Sequence, residues 1–120
     1  MTIRETIRNR AEVLLHLDAG FLVETLADPR WPESIGKTRC PGGKIEEGES
    51  AVDTLVREPR EEYDLGADPA MFTFVSRVEG PRGYLVRYEA LAPPHWEGLV
   101  CSEGGGEHLT WTKALPEPWC

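Results

Sequence analysis

No run of apolar residues in this chain approaches the ~18 that a membrane-spanning helix needs. The opening segment, MTIRETIRNR, also lacks the apolar core of a secretory signal. Both absences lead us to expect a cytoplasmic protein with no membrane association. Cysteine is scarce. Cys40, Cys101 and Cys120 are odd in number and widely spaced, with no CxxC and no Cys/His spacing, so neither a disulfide framework nor a zinc site is indicated. Basic residues are few: 13 Lys and Arg against 21 Asp and Glu leave a formal net charge of −8. An acidic chain is poorly suited to gripping a nucleic-acid backbone. It can still take a small phosphate-bearing substrate if a metal supplies the positive charge. Internal repeats and low-complexity tracts are absent. The 120 residues leave room for one core, so a single domain over 1–120 is expected.

The residues that are present order themselves as strands, one helix, then strands. Residues 11–17 (AEVLLHL) and 21–26 (FLVETL) read as hairpin partners across the turn Asp18-Ala19-Gly20. Residues 27–40 carry Pro29, Pro32 and Gly36 and read as a long loop. Residues 71–78 and 84–91 read as two further strands, 93–107 as a loop and 108–112 as a short strand, on which Trp111 is expected in the core. This order predicts an α+β fold.

The one convincing helix spans 50–63, with Ser50 as N-cap and Asp53 three residues later. At 100° per residue, Val52, Leu55, Val56, Pro59 and Tyr63 make an apolar stripe. Glu58, Glu61 and Glu62 share one flanking arc, with Arg57 beside Glu61. Carboxylates at these spacings repel one another. A hard divalent cation would reverse the sign of that interaction; the alternative is a solvated acidic face.

A wider spacing bears on the choice. Gly43 is followed by five residues, Glu49, seven residues, Arg57-Glu58, two residues, Glu61-Glu62, two residues and Leu65. This pattern resembles the Nudix box of the Nudix hydrolases. At this chain's own composition (12 Gly among 120 residues), the six polar positions coincide by chance about 2 × 10⁻⁴ times over the whole chain. The resemblance implies a Nudix-type α/β/α sandwich with a mixed sheet and one catalytic helix. It implies a metal-dependent hydrolase that cleaves the diphosphate linkage of a nucleoside diphosphate derivative, a small-molecule partner, using Mg²⁺ or Mn²⁺. Carried over by position, Glu58, Glu61 and Glu62 would be metal ligands, joined by the carbonyl of Gly42 or Gly43. Arg57 would orient the glutamates, and Glu49 would support the metal, directly or through water. The general base often lies outside the box in this family. Glu107 is the candidate here, with Glu103 as the alternative.

Three departures stand out. Pro59 occupies an aliphatic position of the box and is expected to kink the helix between Glu58 and Glu61. Asp64 replaces the second glycine. The tail ALPEPWC leaves little room for the family's C-terminal helix, which is expected to be reduced or missing, and that raises a homodimer in which a second subunit covers the face. For substrate, Trp31 in the long loop is an aromatic that can stack on a base. A (d)NTP pyrophosphohydrolase leads, followed by hydrolases of ADP-ribose or dinucleoside polyphosphates. A catalytically impaired Nudix-fold nucleotide-binding or sensor domain is the alternative from another class. A calcium module is disfavoured because no D-x-D-x-D-G loop is present.

Overall fold

In the computed structural model, residue 5 and residues 7–101 and 107–114 are described. Apolar strand formers build a mixed sheet of β1 (Arg10–Leu17), β2 (Gly20–Thr25), β3 (Thr38–Arg39), β4 (Gly42–Lys44), β5 (Thr73–Gly80), β6 (Gly83–Leu91) and β7 (His108–Thr112). The strand order is β3-β2-β1-β6-β5, with β4 added beside β1 and β7 beside β2. β1 and β6 run parallel, and every other pairing is antiparallel. The first hairpin turns at Asp18, whose φ of 52° is the left-handed conformation that Asp tolerates better than most residues.

β1 is longer than its hairpin with β2. Leu15–Leu17 pair with β2, whereas Arg10–Glu12 pair with β4. The two halves of β1 therefore hold different neighbours, and β4 is delivered to the sheet at the end where the helix begins. Alternate residues of β1, namely Ala11, Val13, Leu15 and Leu17, point into one core with Leu22, Val86, Ala90 and Leu109. The helix α1 (Ala51–Tyr63) closes this core through Leu55. Leu14, Val23 and Leu85 are also buried, so the central strands are covered on both faces.

Several expectations are refined. Ser50 caps α1 and forms a full capping box with Asp53. Thr54, not part of the apolar stripe, is fully buried, and its hydroxyl is satisfied by hydrogen bonding. The helix continues through Pro59, because proline forfeits only one hydrogen bond and its ring lies in an apolar cleft with Val13, Leu15, Leu55 and Tyr63. Asp64 adopts the left-handed cap at φ 56° that the missing glycine would have taken, and its N–H donates to the Arg60 carbonyl. Trp111 corrects the expectation of a core tryptophan: it is 38% exposed, with its indole N–H donating to the Leu17 carbonyl. Trp96, from the turn Pro94–Trp96, fills the core instead. The expectation about the C-terminal helix falls on residues 115–120 and lies outside the described residues. Among the described residues, no helix is long and apolar enough to cross a membrane.

Candidate active site

The segment before α1 is fastened at three levels to β1 and the residue that precedes it. Gly43 pairs with Ala11, the Val13 N–H donates to the Pro41 carbonyl at 2.9 Å, and the Ile45 N–H donates to the Asn9 carbonyl at 2.9 Å. This backbone has little freedom to move. The capping box fixes where α1 starts, and the first helical turns then place Arg57 and Glu58 over β4.

Arg57 is the hub. Its Nε donates to Glu49 Oε2 at 2.7 Å and its Nη2 to Glu49 Oε1 at 3.1 Å, a bidentate pair. Nη2 also donates to the Lys44 carbonyl at 2.9 Å. Nη1 donates to Glu58 Oε1 at 3.0 Å and to Glu61 Oε2 at 3.1 Å. One guanidinium thus joins the loop to the helix and holds three carboxylates. Glu49 takes two further hydrogen bonds on Oε1, from the Glu46 N–H and the Thr54 hydroxyl. Its carboxyl is held well below the usual range, at about 2, first by the Arg57 hydrogen bonds. Arg57 is pushed up correspondingly, first by its bond to Glu49. Neither the Thr54 hydroxyl nor the Lys44 carbonyl could be read from a spacing motif, since any residue supplies a carbonyl.

Glu58 lies against Gly43. A Cβ added there would overlap the Glu58 carboxylate and come within 2.6 Å of its Cγ. Glu62 stands one turn further along and shares a hydrogen bond with Glu58. Burial, then that bond and the neighbouring Glu24 and Glu58 charges, push the Glu62 carboxyl up to about 9. Glu61 is half exposed and, among the described residues, bound through Arg57. The structure therefore gathers Gly43, Glu49, Arg57, Glu58, Glu61 and Glu62 in one place.

Past the end of the helix the cluster continues onto the sheet. Tyr63 Oη donates to Glu24 Oε2 at 3.1 Å. Glu24, on β2, is fully buried, and that burial raises its carboxyl pKa. Arg39, on β3, lies 3.7 Å from Glu24 Oε1 and 3.9 Å from Glu107 Oε1. Glu107 enters β7 at the same edge. Glu24 and Arg39 were missed from the sequence. The available signal was a lone carboxylate inside the apolar strand FLVET. Glu103 lies outside the described residues. Trp31 is 61% exposed, on the loop between β2 and β3, next to the bidentate pair of Arg30 and Asp28.

Among the described residues, no three carboxylates are already arranged as a metal cage. The donor set nevertheless fits a hard divalent cation: it consists of carboxylate and carbonyl oxygens only. Two of those carboxylates, Glu58 and Glu62, are hydrogen-bonded neighbours, and burial together with that contact favours the protonated form of Glu62. A cation can replace that proton.

A pH dependence follows for the metal-free protein. Unfolded, Glu62 loses its proton near its ordinary value of 4.5; folded, it keeps the proton up to about 9. Between these values the folded state binds more protons, so stability falls as pH rises. Thermal denaturation in EDTA is expected to show a declining Tm from pH 5 towards 9. The stabilisation produced by Mg²⁺ should grow over the same range, because less proton competes.

A family model described as NUDIX domain matches residues 7–112. A MutT NUDIX hydrolase from Burkholderia pseudomallei has a similar structure, with 23% identity and a TM-score of 0.65 over 92% of this chain and 88% of that one. A MutT structure from work on Aliivibrio salmonicida and Vibrio cholerae shares 18% identity and a TM-score of 0.62 over 88% of this chain and 78% of that one. A MutT/nudix family protein from Enterococcus faecalis shares 18% identity and a TM-score of 0.62 over 92% of this chain and 45% of that one. The chain belongs to the Nudix family, and the fold is the α+β Nudix sandwich expected from its sequence. The enzyme class that this membership supports is a hydrolase of phosphoric anhydrides.

Proposed function

With membership of the Nudix family as its premise, we propose that this chain is a divalent-metal-dependent hydrolase of the diphosphate linkage in a nucleoside diphosphate derivative, with (d)NTPs as the leading substrates. The observation that carries this reading is the Arg57 hub, which holds Glu49, Glu58 and Glu61 on one guanidinium while Glu58 and Glu62 meet beside Gly43.

Glu58, Glu61 and Glu62 would hold Mg²⁺ or Mn²⁺ with the Gly43 carbonyl. Glu49, whose oxygens are already taken up by four hydrogen bonds, acts through Arg57. Bound there, the cation supplies charge neutralisation of the diphosphate and a lowered pKa for an attacking water. Glu107, at the edge of the cluster, would serve as the general base for the attacking water. Arg57 keeps Glu58 and Glu61 apart and oriented through the reaction. Trp31, exposed on the preceding loop, stacks on the base.

The test is a screen for phosphate and pyrophosphate release across (d)NTPs, ADP-ribose and dinucleoside polyphosphates, with Mg²⁺, with Mn²⁺ and in excess EDTA. Turnover of one class with metal and none in EDTA is expected. Full turnover in EDTA would remove the metal from the reading, and no turnover of any compound would remove the hydrolase.

A further inference from the structure

Arg39 has an unusual environment for a guanidinium set among three carboxylates, Glu24, Glu62 and Glu107. Its nearest anionic oxygens, Glu24 Oε1 and Glu107 Oε1, stand at 3.7 and 3.9 Å, beyond hydrogen-bond length. Its charge also acts on Glu62. Its Nε is buried and has no hydrogen-bond partner, and the same is true of Glu24 Oε1. These are the two orphaned buried side-chain atoms among the described residues. The Glu24 side chain is 1% exposed, whereas that of Arg39 is 39% exposed. A fully buried carboxylate therefore backs a guanidinium whose outer part reaches solvent beside the proposed metal ligands.

Buried polar atoms are rarely left unpaired, and each exception calls for a reason. Packing does not supply one here, because a shift of under 1 Å would bring the pair into contact. Glu24 is pinned on its other oxygen by Tyr63, the last residue of α1. Arg39 is pinned by its backbone pairing with Glu24 across β2 and β3. The guanidinium fork thus stands 3.7 Å from its backing carboxylate, with its Nε unpaired. A planar fork of this kind matches the oxygens of a phosphate group two at a time. Arg57 cannot fill that place, since its donors are committed to Glu49, Glu58, Glu61 and the Lys44 carbonyl.

We propose that Arg39 is a ligand for the substrate's phosphate oxygens and that the buried Glu24, anchored by Tyr63, is the positioning residue that aims it. The identification of the anion as a diphosphate rests on the hydrolase reading; the donor fork and its backing carboxylate do not. The proposal also accounts for a carboxylate in a strand whose neighbours, Leu22 and Val23, are wholly apolar and wholly buried.

Methylenediphosphonate, a diphosphate that cannot be hydrolysed and carries no base, is the probe. Its binding to the full chain is measured by calorimetry with and without Mg²⁺, alongside Tm and Mg²⁺ affinity. Arg39→Met should weaken diphosphonate binding at least about tenfold while Mg²⁺ affinity does not fall, since a positive charge beside Glu62 is removed. Glu24→Gln keeps the shape and the Tyr63 contact. It should weaken binding severalfold without lowering Tm, and in turnover it should raise KM more than it lowers kcat. Because Arg39→Met strands a buried carboxylate, Glu24→Gln combined with Arg39→Met serves as the variant that stays folded, and it should bind no more tightly than Arg39→Met. If the folded double variant binds the probe like the parent, Arg39 is no ligand and the proposal falls, with the hydrolase reading untouched. If Glu24→Gln binds like the parent, the positioning role falls. Binding that depends on Arg39 but not on Mg²⁺ upholds the proposal and leaves the metal dependence of hydrolysis to the turnover test in EDTA.

Discussion

Replacing Arg57 with methionine is expected to cut kcat by about 100-fold, in line with the loss of an outer-shell residue that orients metal ligands. It should also lower stability by about 1–3 kcal/mol. The two effects share a cause. Glu49 and Glu58 have side chains only 17% and 15% exposed, and both depend on this guanidinium for charge compensation. Methionine keeps the length and apolar stem but supplies no donor, so a carboxylate that water reaches poorly is left uncompensated. The hydrogen bond to the Lys44 carbonyl is lost as well, which unties β4 from α1. Arg57→Lys separates the contributions. A lysine restores the charge but cannot span Glu49, Glu58, Glu61 and a carbonyl from one planar group. Much of the Tm should return while kcat stays low. If Arg57→Met retains parent turnover at saturating Mg²⁺, the hub is structural and the orientation argument is wrong.

What the sequence reveals and conceals here divides by range. α1, its Ser50 cap and its Asp53 box are local, set within a few residues, and could be read directly. The carboxylate arc follows from helical geometry alone. Strands β3 and β4 have only two and three residues, too short to carry an alternation pattern, and exist because β2 offers β3 an edge and β1 offers one to β4. Trp111 leaves its expected place in the core, and Trp96 takes it, for a tertiary reason. Trp111 reaches Leu17 at the sheet margin, whereas the prolines Pro93 and Pro94 turn the chain so that Trp96 drops under it. Pro59 does not stop the helix because its ring is in contact with the apolar side of the cleft, a gain that propensity scales do not include. Glu24 and Arg39 are adjacent only through the pairing of β2 with β3, across the loop that separates them in sequence.

Replacing Gly43 with alanine is expected to be the most damaging small change at the site, lowering kcat by about 100-fold, the scale of a 1 Å misplacement of a reacting group. Conformation is not the reason, since Gly43 is not among the residues with positive φ. Space is the reason. The added methyl would occupy the position of the Glu58 carboxylate, and the backbone of β4 cannot retreat because it is paired to Ala11. The side chain of Glu58 must therefore give way. Doing so breaks its bond from Arg57 and separates it from Glu62, so the metal ligands lose their arrangement while the fold persists. Gly42 provides the contrast. A methyl there meets the Ala11 carbonyl and the Glu12 Cα, backbone atoms that cannot swing aside. Gly42→Ala should then reduce Tm sharply, whereas Gly43→Ala should leave Tm closer to the parent and instead weaken Mg²⁺ binding and turnover. Measuring Tm, Mg²⁺ affinity and kcat for the two variants side by side checks this division. If Gly43→Ala binds Mg²⁺ and turns over like the parent, Glu58 can do its work from another position, and its contact with Gly43 is packing alone.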